Sequence, residues 1–183
     1  MLRMVPLPRY AGQDQKRAGG LVTEKPMTKI YLAGPLFTLA EQSFNVELAR
    51  FLEGEGFEVF LPQEHEPRSK TARSIFEMDV AALDWADMVV ACMDGPDPDS
   101  GTAWECGYAY AKGKPIVCYR TDFRISGDTK GAPYNLMLTE SAAARVELSF
   151  RTKTPEFHRR VLAQIRKALR AKRPKHDQSR KTV

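Results

Sequence analysis

Short apolar runs alternate with amphipathic stretches along most of this chain, and the alternation restricts the folds open to it. Five runs are predicted as buried strands, at residues 29–35, 57–62, 88–93, 115–120 and 144–150. Apolar residues at helical spacing predict helices at residues 41–53, 71–86, 101–112, 135–140 and 155–172. Strands that alternate with helices indicate a parallel sheet covered on both faces. We therefore expect an α/β fold, a doubly wound parallel five-stranded sheet of the flavodoxin-like or Rossmann-like kind.

The turn after the first predicted strand lacks the glycine spacing of a dinucleotide site. Residues 33–35 read Ala-Gly-Pro, which fits neither GxGxxG nor GxxxxGK[ST]. Sheets of this kind bind ligands beyond the carboxyl ends of their strands. The loops at that edge begin at Gly34, Pro62, Asp94 and Thr121. We expect a ligand at this edge and no dinucleotide cofactor.

Composition separates a central domain from two tails. Residues 1–28 contain glycine and proline without periodicity and are expected to form a flexible N-terminal extension. Residues 29–150 form the expected domain, and residues 151–183 form a basic C-terminal helix and tail. The net charge of +5 lies mostly in that tail, whereas the loop over residues 94–99 is acidic. An acidic pocket repels phosphates, so nucleic acid is not an expected partner.

Cysteine, histidine and hydropathy patterns exclude several classes of protein. The three cysteines lie in apolar runs without CxxC spacing, and the three histidines form no ligand-like pair. We expect buried free thiols and no metal site. No apolar run is long enough to predict a signal peptide or a membrane span. The expectation is a soluble cytoplasmic protein.

The segment over residues 99–108 is the strongest candidate for chemistry. It carries carboxylates at Asp99 and Glu105, with a glycine between them and a helix that is predicted to start at the turn. A carboxylate in the first turn of a helix is stabilised by the positive helix end, so we expect Glu105 to stay ionised, as a nucleophile must. Thr102 and Glu105 also fit a capping box, in which Glu105 would only cap the helix. This segment alone leaves both interpretations open.

Asp79 is a candidate for the complementary acid. Ile75, Asp79 and Leu83 follow an i, i+4, i+8 row, which places Asp79 near the apolar face of its helix. Desolvation there should raise the pKa of Asp79, and a general acid must hold its proton near neutral pH. The alternative is a buried aspartate that caps a neighbouring loop. One protonated and one ionised carboxyl group form the pair that cleaves a glycosidic bond.

Several segments of the chain, in their order and spacing, resemble the nucleoside 2-deoxyribosyltransferase family. They are residues 30–37, Asp79 with residues 86–91, residues 99–109, residues 119–124 and residues 135–137. The resemblance implies transfer of 2-deoxyribose between nucleobases through a covalent glutamyl intermediate, with retention of configuration and no cofactor or metal. The implied substrates are 2′-deoxynucleosides and free nucleobases. The implied assembly is a homo-oligomer whose subunits share active sites.

The resemblance also implies roles for single residues. Glu105 would be the nucleophile that attacks C1′, Tyr31 would position and tune it, and Asp79 would protonate the leaving base. A core aromatic is the alternative for Tyr31. The implied substrate-binding residues are Asp99, Asn135, Met137, Phe37, Gly34 and Gln63.

The implied substrate contacts divide between the sugar and the base. Asp99 would hydrogen-bond the sugar or help to protonate the base. Asn135 would bind a sugar hydroxyl from a neighbouring subunit, with Met137 packed nearby. Phe37 would flank the base, and Gln63 would contact its edge.

Two other functions remain open at this point. A 2′-deoxynucleoside 5′-phosphate N-glycosidase would use water in place of the second base, yet residues 35–37 offer Pro-Leu-Phe where a serine- and glycine-rich phosphate loop is needed. A non-catalytic nucleoside-binding module would be favoured by the loss of Glu105 or Asp79. Both carboxylates are present.

Overall fold

The computed structural model describes residues 27–67, 69–148 and 151–171. The expected flexible extension, up to residue 26, lies outside the described residues. So do Arg68, the last two residues of the fifth predicted strand and the tail from residue 172 onward. Within the described ranges, no helix is long and apolar enough to cross a membrane.

Strands and helices alternate along the described chain as predicted. They are β1 (Lys29–Ala33), α1 (Leu39–Gly54), β2 (Glu58–Phe60), a 3₁₀ helix (Pro62–Glu64), α2 (Ala72–Trp85), β3 (Met88–Cys92), α3 (Ser100–Ala111), β4 (Ile116–Arg120), α4 (Leu136–Ser141), β5 (Ala144–Glu147) and α5 (Thr154–Arg170). The strands form one parallel sheet in the order β2-β1-β3-β4-β5. This order confirms the doubly wound α/β fold.

Apolar side chains fill both faces of the sheet because its strands are buried between helices. On one face, α1 and α5 pack against Ile30, Val90 and Val117. On the other face, α2, α3 and α4 pack against a second set that includes Val89 and Ile116. All five residues of β3 are buried, as its continuous apolar run predicts. The three cysteines are buried and free, which confirms that expectation.

Helix α5 belongs to this core, although it follows residue 150, where the expected domain ends. Phe157, Val161 and Ile165 are almost fully buried against the sheet and α1. Leu169, which helical spacing places on the same face, is 40% exposed, and Ala168 is buried in its place. The packed unit therefore extends through α5.

The start of α2 differs from its predicted packing. Ile75 and Phe76, which the pattern assigns to the buried face, are 44% and 45% exposed. The buried residues of this helix are Ala82 and Leu83, near its end. The difference arises because only the last turns of α2 pack on the sheet, which a pattern within one helix does not reveal.

Candidate active site

Helix α3 starts at Ser100 because Asp99 caps it. The Asp99 Oδ2 atom accepts hydrogen bonds from the Thr102 amide at 2.9 Å and from the Thr102 hydroxyl at 3.2 Å. Thr102 is therefore the third residue of the helix, and the capping box predicted for Thr102 and Glu105 is wrong. Glu105 lies in the second turn, where the stabilising effect of the helix end is weaker.

Glu105 instead receives a hydrogen bond from the neighbouring strand. The Tyr31 hydroxyl donates to Glu105 Oε1 at 2.6 Å. Tyr31 is fully buried on β1, and its ring stacks on Phe60 of β2 with the ring centroids 5.5 Å apart. The side chain is thus both a core aromatic and a partner of the glutamate. Packing of the ring fixes the position of the hydroxyl, and through it the Glu105 carboxylate.

The pKa of Glu105 is raised to about 7. Burial is the main cause and the negative charges of Asp79 and Asp99 add to it, while the hydrogen bond from Tyr31 opposes the rise. The expectation that the helix end keeps Glu105 fully ionised is therefore wrong for the free protein. A substantial fraction of Glu105 is protonated at neutral pH. The same burial strengthens the carboxylate as a nucleophile once it is ionised, because no water shell has to be removed.

Asp79 lies beside this pair on α2. Burial raises the pKa of Asp79 to about 6, and the nearby His65 opposes the rise. This shift agrees with the row of residues that predicted a desolvated carboxyl group. Asp79 Oδ1 is buried and has no hydrogen-bond partner within the described residues. An unpartnered buried carboxyl oxygen is costly, and a ligand that supplies a hydrogen-bonding group would remove that cost.

Asn135 and Met137 lie on the side of α3 opposite Glu105. Together with Gly107 and Tyr110 they line an open cavity of about 530 Å³ between α3 and α4. Asn135 caps α4, since its Oδ1 atom accepts from the Met137 amide at 2.9 Å. Met137 is 72% exposed. Within one chain the structure does not bring either residue to Glu105, and their contribution to a neighbouring subunit's site stays a prediction.

Three of the residues expected to bind substrate lie in or beside the loop between β1 and α1. Phe37 is 75% exposed in that loop. Gly34 allows the loop to approach β3 closely, because a Cβ at this position would lie 3.1 Å from the Cβ of Cys92. Gln63 follows β2, and its Nε2 atom donates to the carbonyl oxygen of Gln42 at 2.9 Å.

Three polar residues that order this edge were not identified from the sequence. Asn45 is 5% exposed and hydrogen-bonds the loop after β1. Asp94 accepts from the amides of Thr121 and Asp122, at 2.5 and 2.9 Å, and so joins the loops after β3 and β4. Buried Arg120 donates to the carbonyl oxygens of Met93 and Arg124.

A sequence signal exists for two of these residues. Asn45 falls on the same helical row as Ala49, which is the buried face of α1. Arg120 ends an otherwise apolar run, where an arginine needs buried partners. Asp94 gave no such signal, because the prolines and acids around it suggested an acidic pocket rather than a cap between two loops.

The described residues contain no group of three histidine, cysteine or acidic side chains that could hold a metal ion. The candidate site brings together Tyr31, Glu105, Asp79 and Asp99, which are placed by β1, α2 and the start of α3. Two buried carboxyl groups with raised pKa values lie side by side in it.

Comparison with known sequences gives one family. A family model described as nucleoside 2-deoxyribosyltransferase matches residues 30–137, which is more than half of the chain. An uncharacterised protein of Schizosaccharomyces pombe is 34% identical over 109 residues, covering 52% of this chain and 51% of that protein. The chain thus spans about half the length of this curated relative.

Solved structures give the same fold. A conserved protein from Enterococcus faecalis matches with a TM-score of 0.62 at 30% identity, covering 78% of this chain and 99% of that one. A 2-deoxyribosyltransferase from Bacillus psychrosaccharolyticus matches with a TM-score of 0.56 at 28% identity, covering 71% of this chain and 96% of that one. A 2-deoxyribosyltransferase from Leishmania mexicana matches with a TM-score of 0.55 at 25% identity, covering 72% of this chain and 97% of that one.

Proposed function

The chain belongs to the nucleoside 2-deoxyribosyltransferase family, and we propose that it transfers 2-deoxyribose between nucleobases through a covalent intermediate on Glu105. The family and its solved relatives support an enzyme of the deoxyribosyltransferase or related N-glycosidase type, with nucleosides and nucleobases as substrates. The observation that carries the finer proposal is the 2.6 Å hydrogen bond from Tyr31 to Glu105, with Asp79 beside it.

The first half of the reaction removes the original base. Because Tyr31 occupies Oε1 of Glu105, we assign the attack on C1′ of the deoxynucleoside to Oε2. As the C1′–O bond forms, the N-glycosidic bond breaks and its electron pair passes to the base nitrogen. The Asp79 carboxyl group gives its proton to the departing base, which therefore leaves neutral. The sugar is left as an ester of Glu105.

The second half reverses these roles with a new base. The nitrogen of the incoming base attacks C1′, and ionised Asp79 takes the proton that this nitrogen loses. The C1′–O bond breaks, its electron pair returns to Glu105, and the hydrogen bond from Tyr31 stabilises the carboxylate that reforms. Each half inverts the configuration at C1′, so the complete reaction retains it.

The sugar site extends beyond the catalytic pair. Asp99 keeps Oδ2 on the helix amide, and we assign its other oxygen to the sugar. Asn135 and Met137 would serve the site of a neighbouring subunit in a homo-oligomer. Their position beside a cavity that Glu105 does not line and the exposure of Met137 support this arrangement.

The pH dependence of the reaction should follow the two carboxyl groups. Exchange needs ionised Glu105 and protonated Asp79, whose pKa values are raised to about 7 and about 6. Because the group that must be ionised has the higher pKa, kcat/KM should rise through about pH 6 and fall through about pH 7. The productive form is then a minor one, and the profile should be a narrow bell with its maximum near pH 6.5.

Tyr31→Phe tests the height and the alkaline limb of that profile. Removing a donor to a carboxylate disfavours its charged form, so the pKa of Glu105 should rise further above that of Asp79. The maximum of kcat/KM should then fall and the alkaline limb should move to higher pH, while the acidic limb stays near pH 6. A hydrogen bond to a charged group is worth about 1.5–3 kcal/mol, which predicts a loss of about tenfold to a hundredfold in kcat/KM near the wild-type optimum. Rates of exchange measured across both limbs of the profile check this, and an alkaline limb at the wild-type position with an unchanged maximum would contradict the assigned role of Tyr31.

Base exchange itself is tested by incubating the protein with deoxyinosine and free adenine. Chromatography should show new deoxyadenosine together with hypoxanthine. Free sugar together with hypoxanthine, and no deoxyadenosine, would indicate an N-glycosidase that uses water. Turnover that requires a 5′-phosphate on the donor would indicate the nucleotide enzyme instead.

A further inference from the structure

Three hydrogen bonds join two side-chain amides and two backbone carbonyl groups into a network beside the loop that carries Phe37. Asn45 Nδ2 donates to the carbonyl oxygen of Pro35 at 3.0 Å and to Gln63 Oε1 at 3.1 Å. Gln63 Nε2 donates to the carbonyl oxygen of Gln42 at 2.9 Å. The network therefore links the loop after β1, helix α1 and the 3₁₀ helix after β2.

The carbonyl groups decide how both amides are oriented. A backbone carbonyl oxygen only accepts, so the end of Asn45 that faces Pro35 must be its NH₂ group. The second proton of that NH₂ group points at Gln63, which must therefore present its oxygen to Asn45. The NH₂ end of Gln63 then faces the carbonyl oxygen of Gln42, which again accepts. Rotating the Gln63 amide by 180° would break both of its hydrogen bonds.

Two hydrogen-bonding positions of Gln63 remain after these bonds are counted. Its NH₂ group has a second proton, and its oxygen has a second lone pair. The amide thus offers a ligand one donor and one acceptor in a fixed order. Asn45 is almost fully buried, whereas Gln63 is only partly buried at the ligand edge of the sheet. Asn45, which orients the amide, is therefore buried, whereas Gln63, whose amide is oriented, can be reached by a ligand.

The order of donor and acceptor distinguishes two classes of nucleobase. A base with an exocyclic amino group presents a donor beside a ring nitrogen that accepts. A base with an exocyclic oxygen at the same position presents an acceptor beside a ring N–H that donates. An amide that cannot rotate can pair with only one of these two arrangements of donor and acceptor, and it places like groups against each other in the second. An amide that rotates freely can pair with both.

From this network we propose that Asn45 is a positioning residue that locks the Gln63 amide and thereby makes the enzyme discriminate between amino and oxo bases. The proposal rests on the proposed function and deepens it, because it assigns the base selectivity of that same site to a buried residue outside it. Asn45 touches no reacting atom in this scheme and acts only through Gln63.

Asn45→Asp should shift the selectivity toward the class of base that the wild type disfavours. A carboxylate only accepts, so it would repel the present Gln63 oxygen and favour the rotated amide, whose NH₂ group then faces position 45. Deoxyadenosine and deoxyinosine compete in one tube, with excess unsubstituted purine as the common acceptor. Their initial rates of consumption give the ratio of kcat/KM values, which does not depend on how much of the variant is folded. We expect this ratio to change by about tenfold toward the class that the wild type disfavours.

Gln42→Met is the matched control. The Gln42 side chain donates to the carbonyl oxygen of Leu36 at 2.8 Å and so holds the same loop, but Gln63 is bound by the backbone of residue 42. This variant should keep the wild-type ratio even if its overall rate falls. An equal change of the ratio in both variants would mean that loop position sets the selectivity, and the proposal would be overturned.

Two further outcomes are decisive. If Asn45→Asp does not fold, Asn45→Leu removes the hydrogen bond to Gln63 with a side chain of similar size. The ratio of the two kcat/KM values should then move toward one. A wild-type ratio in whichever variant folds would overturn the proposal. If the wild-type protein consumes neither donor, the proposed function fails before any variant is made. The inference about Asn45 then fails as well, because it depends on that function. Normal exchange with unaltered selectivity in the Asn45 variants removes only the inference.

Discussion

Glu105→Gln is expected to abolish base exchange, lowering kcat/KM by about 10⁴-fold or more, as the loss of a catalytic nucleophile does in other enzymes. Glutamine keeps the size of the side chain and can still accept the hydrogen bond from Tyr31, but its oxygen cannot form the ester with C1′. The measurement is the exchange of deoxyinosine with adenine by the purified variant. Glu77→Gln, at an exposed glutamate that pairs with Arg73, should keep wild-type exchange.

The same substitution should make the protein more stable at neutral pH. Burial raises the pKa of Glu105 from 4.5 to about 7, so folding opposes its ionisation. The contribution of Glu105 to stability is therefore fully present below pH 4.5 and is lost as the pH rises through about 7. Glutamine carries no charge, and the variant should gain about 2 kcal/mol relative to the wild type at pH 8, after allowance for partial exposure. Urea unfolding at pH 4 and pH 8 measures this gain.

These two readouts together separate catalysis from structure. A structural glutamate would give a variant that is less stable at every pH, with activity falling in proportion to the folded fraction. A variant that is inactive but has a higher free energy of unfolding at pH 8 indicates that wild-type Glu105 lowers stability and is needed for base exchange. Wild-type exchange by Glu105→Gln would contradict the nucleophile assignment outright.

Asp79→Asn should have the second largest effect, a fall in kcat/KM of about 10²- to 10⁴-fold. Asparagine cannot give a proton to the departing base, so the loss should be greatest for donors whose base is a poor leaving group. The fall of kcat/KM at high pH should disappear, because the variant has no acid at position 79 that must stay protonated. Measuring kcat/KM from pH 5 to 8 with two donors of different leaving-group basicity checks both statements.

Asp84→Asn provides the control on the same helix. Asp84 accepts a hydrogen bond from Tyr108 at 3.0 Å and pairs with Lys112, and these partners lower its pKa. Its substitution should leave the pH profile unchanged. A profile that keeps its basic limb in Asp79→Asn would show that another group protonates the base.

The fold followed from the sequence because buried parallel strands leave continuous apolar runs that stand out between amphipathic helices. Packing of single helix faces was predicted less well. Ile75, Phe76 and Leu169 fit the apolar rows of their helices but lie where the helix rises off the sheet or near its end. Periodicity shows which residues share a face, and the length of helix that the sheet covers depends on the tertiary structure.

The candidate site was predicted in part. The resemblance in the order and spacing of the segments assigned Glu105, Asp79 and Tyr31 to one site, and the structure places these three side chains together. The physical reason given for an ionised Glu105 was wrong, because α3 starts one residue earlier and burial outweighs the helix end. The network of Asn45 and Gln63 could not be predicted, since the two residues are 18 positions apart and meet only when α1 docks beside β2.

The links that Asp94 and Arg120 make between the loops after β3 and β4 have a consequence for the thermodynamics of binding. A loop that becomes ordered only around its ligand loses about 1–2 kcal/mol of backbone conformational entropy for each residue that is fixed. Here a buried guanidinium and a carboxylate order the chain before any ligand binds. The entropy is lost once, during folding, and more of the intrinsic contact energy is then available to hold a ligand in the geometry that the proposed reaction needs.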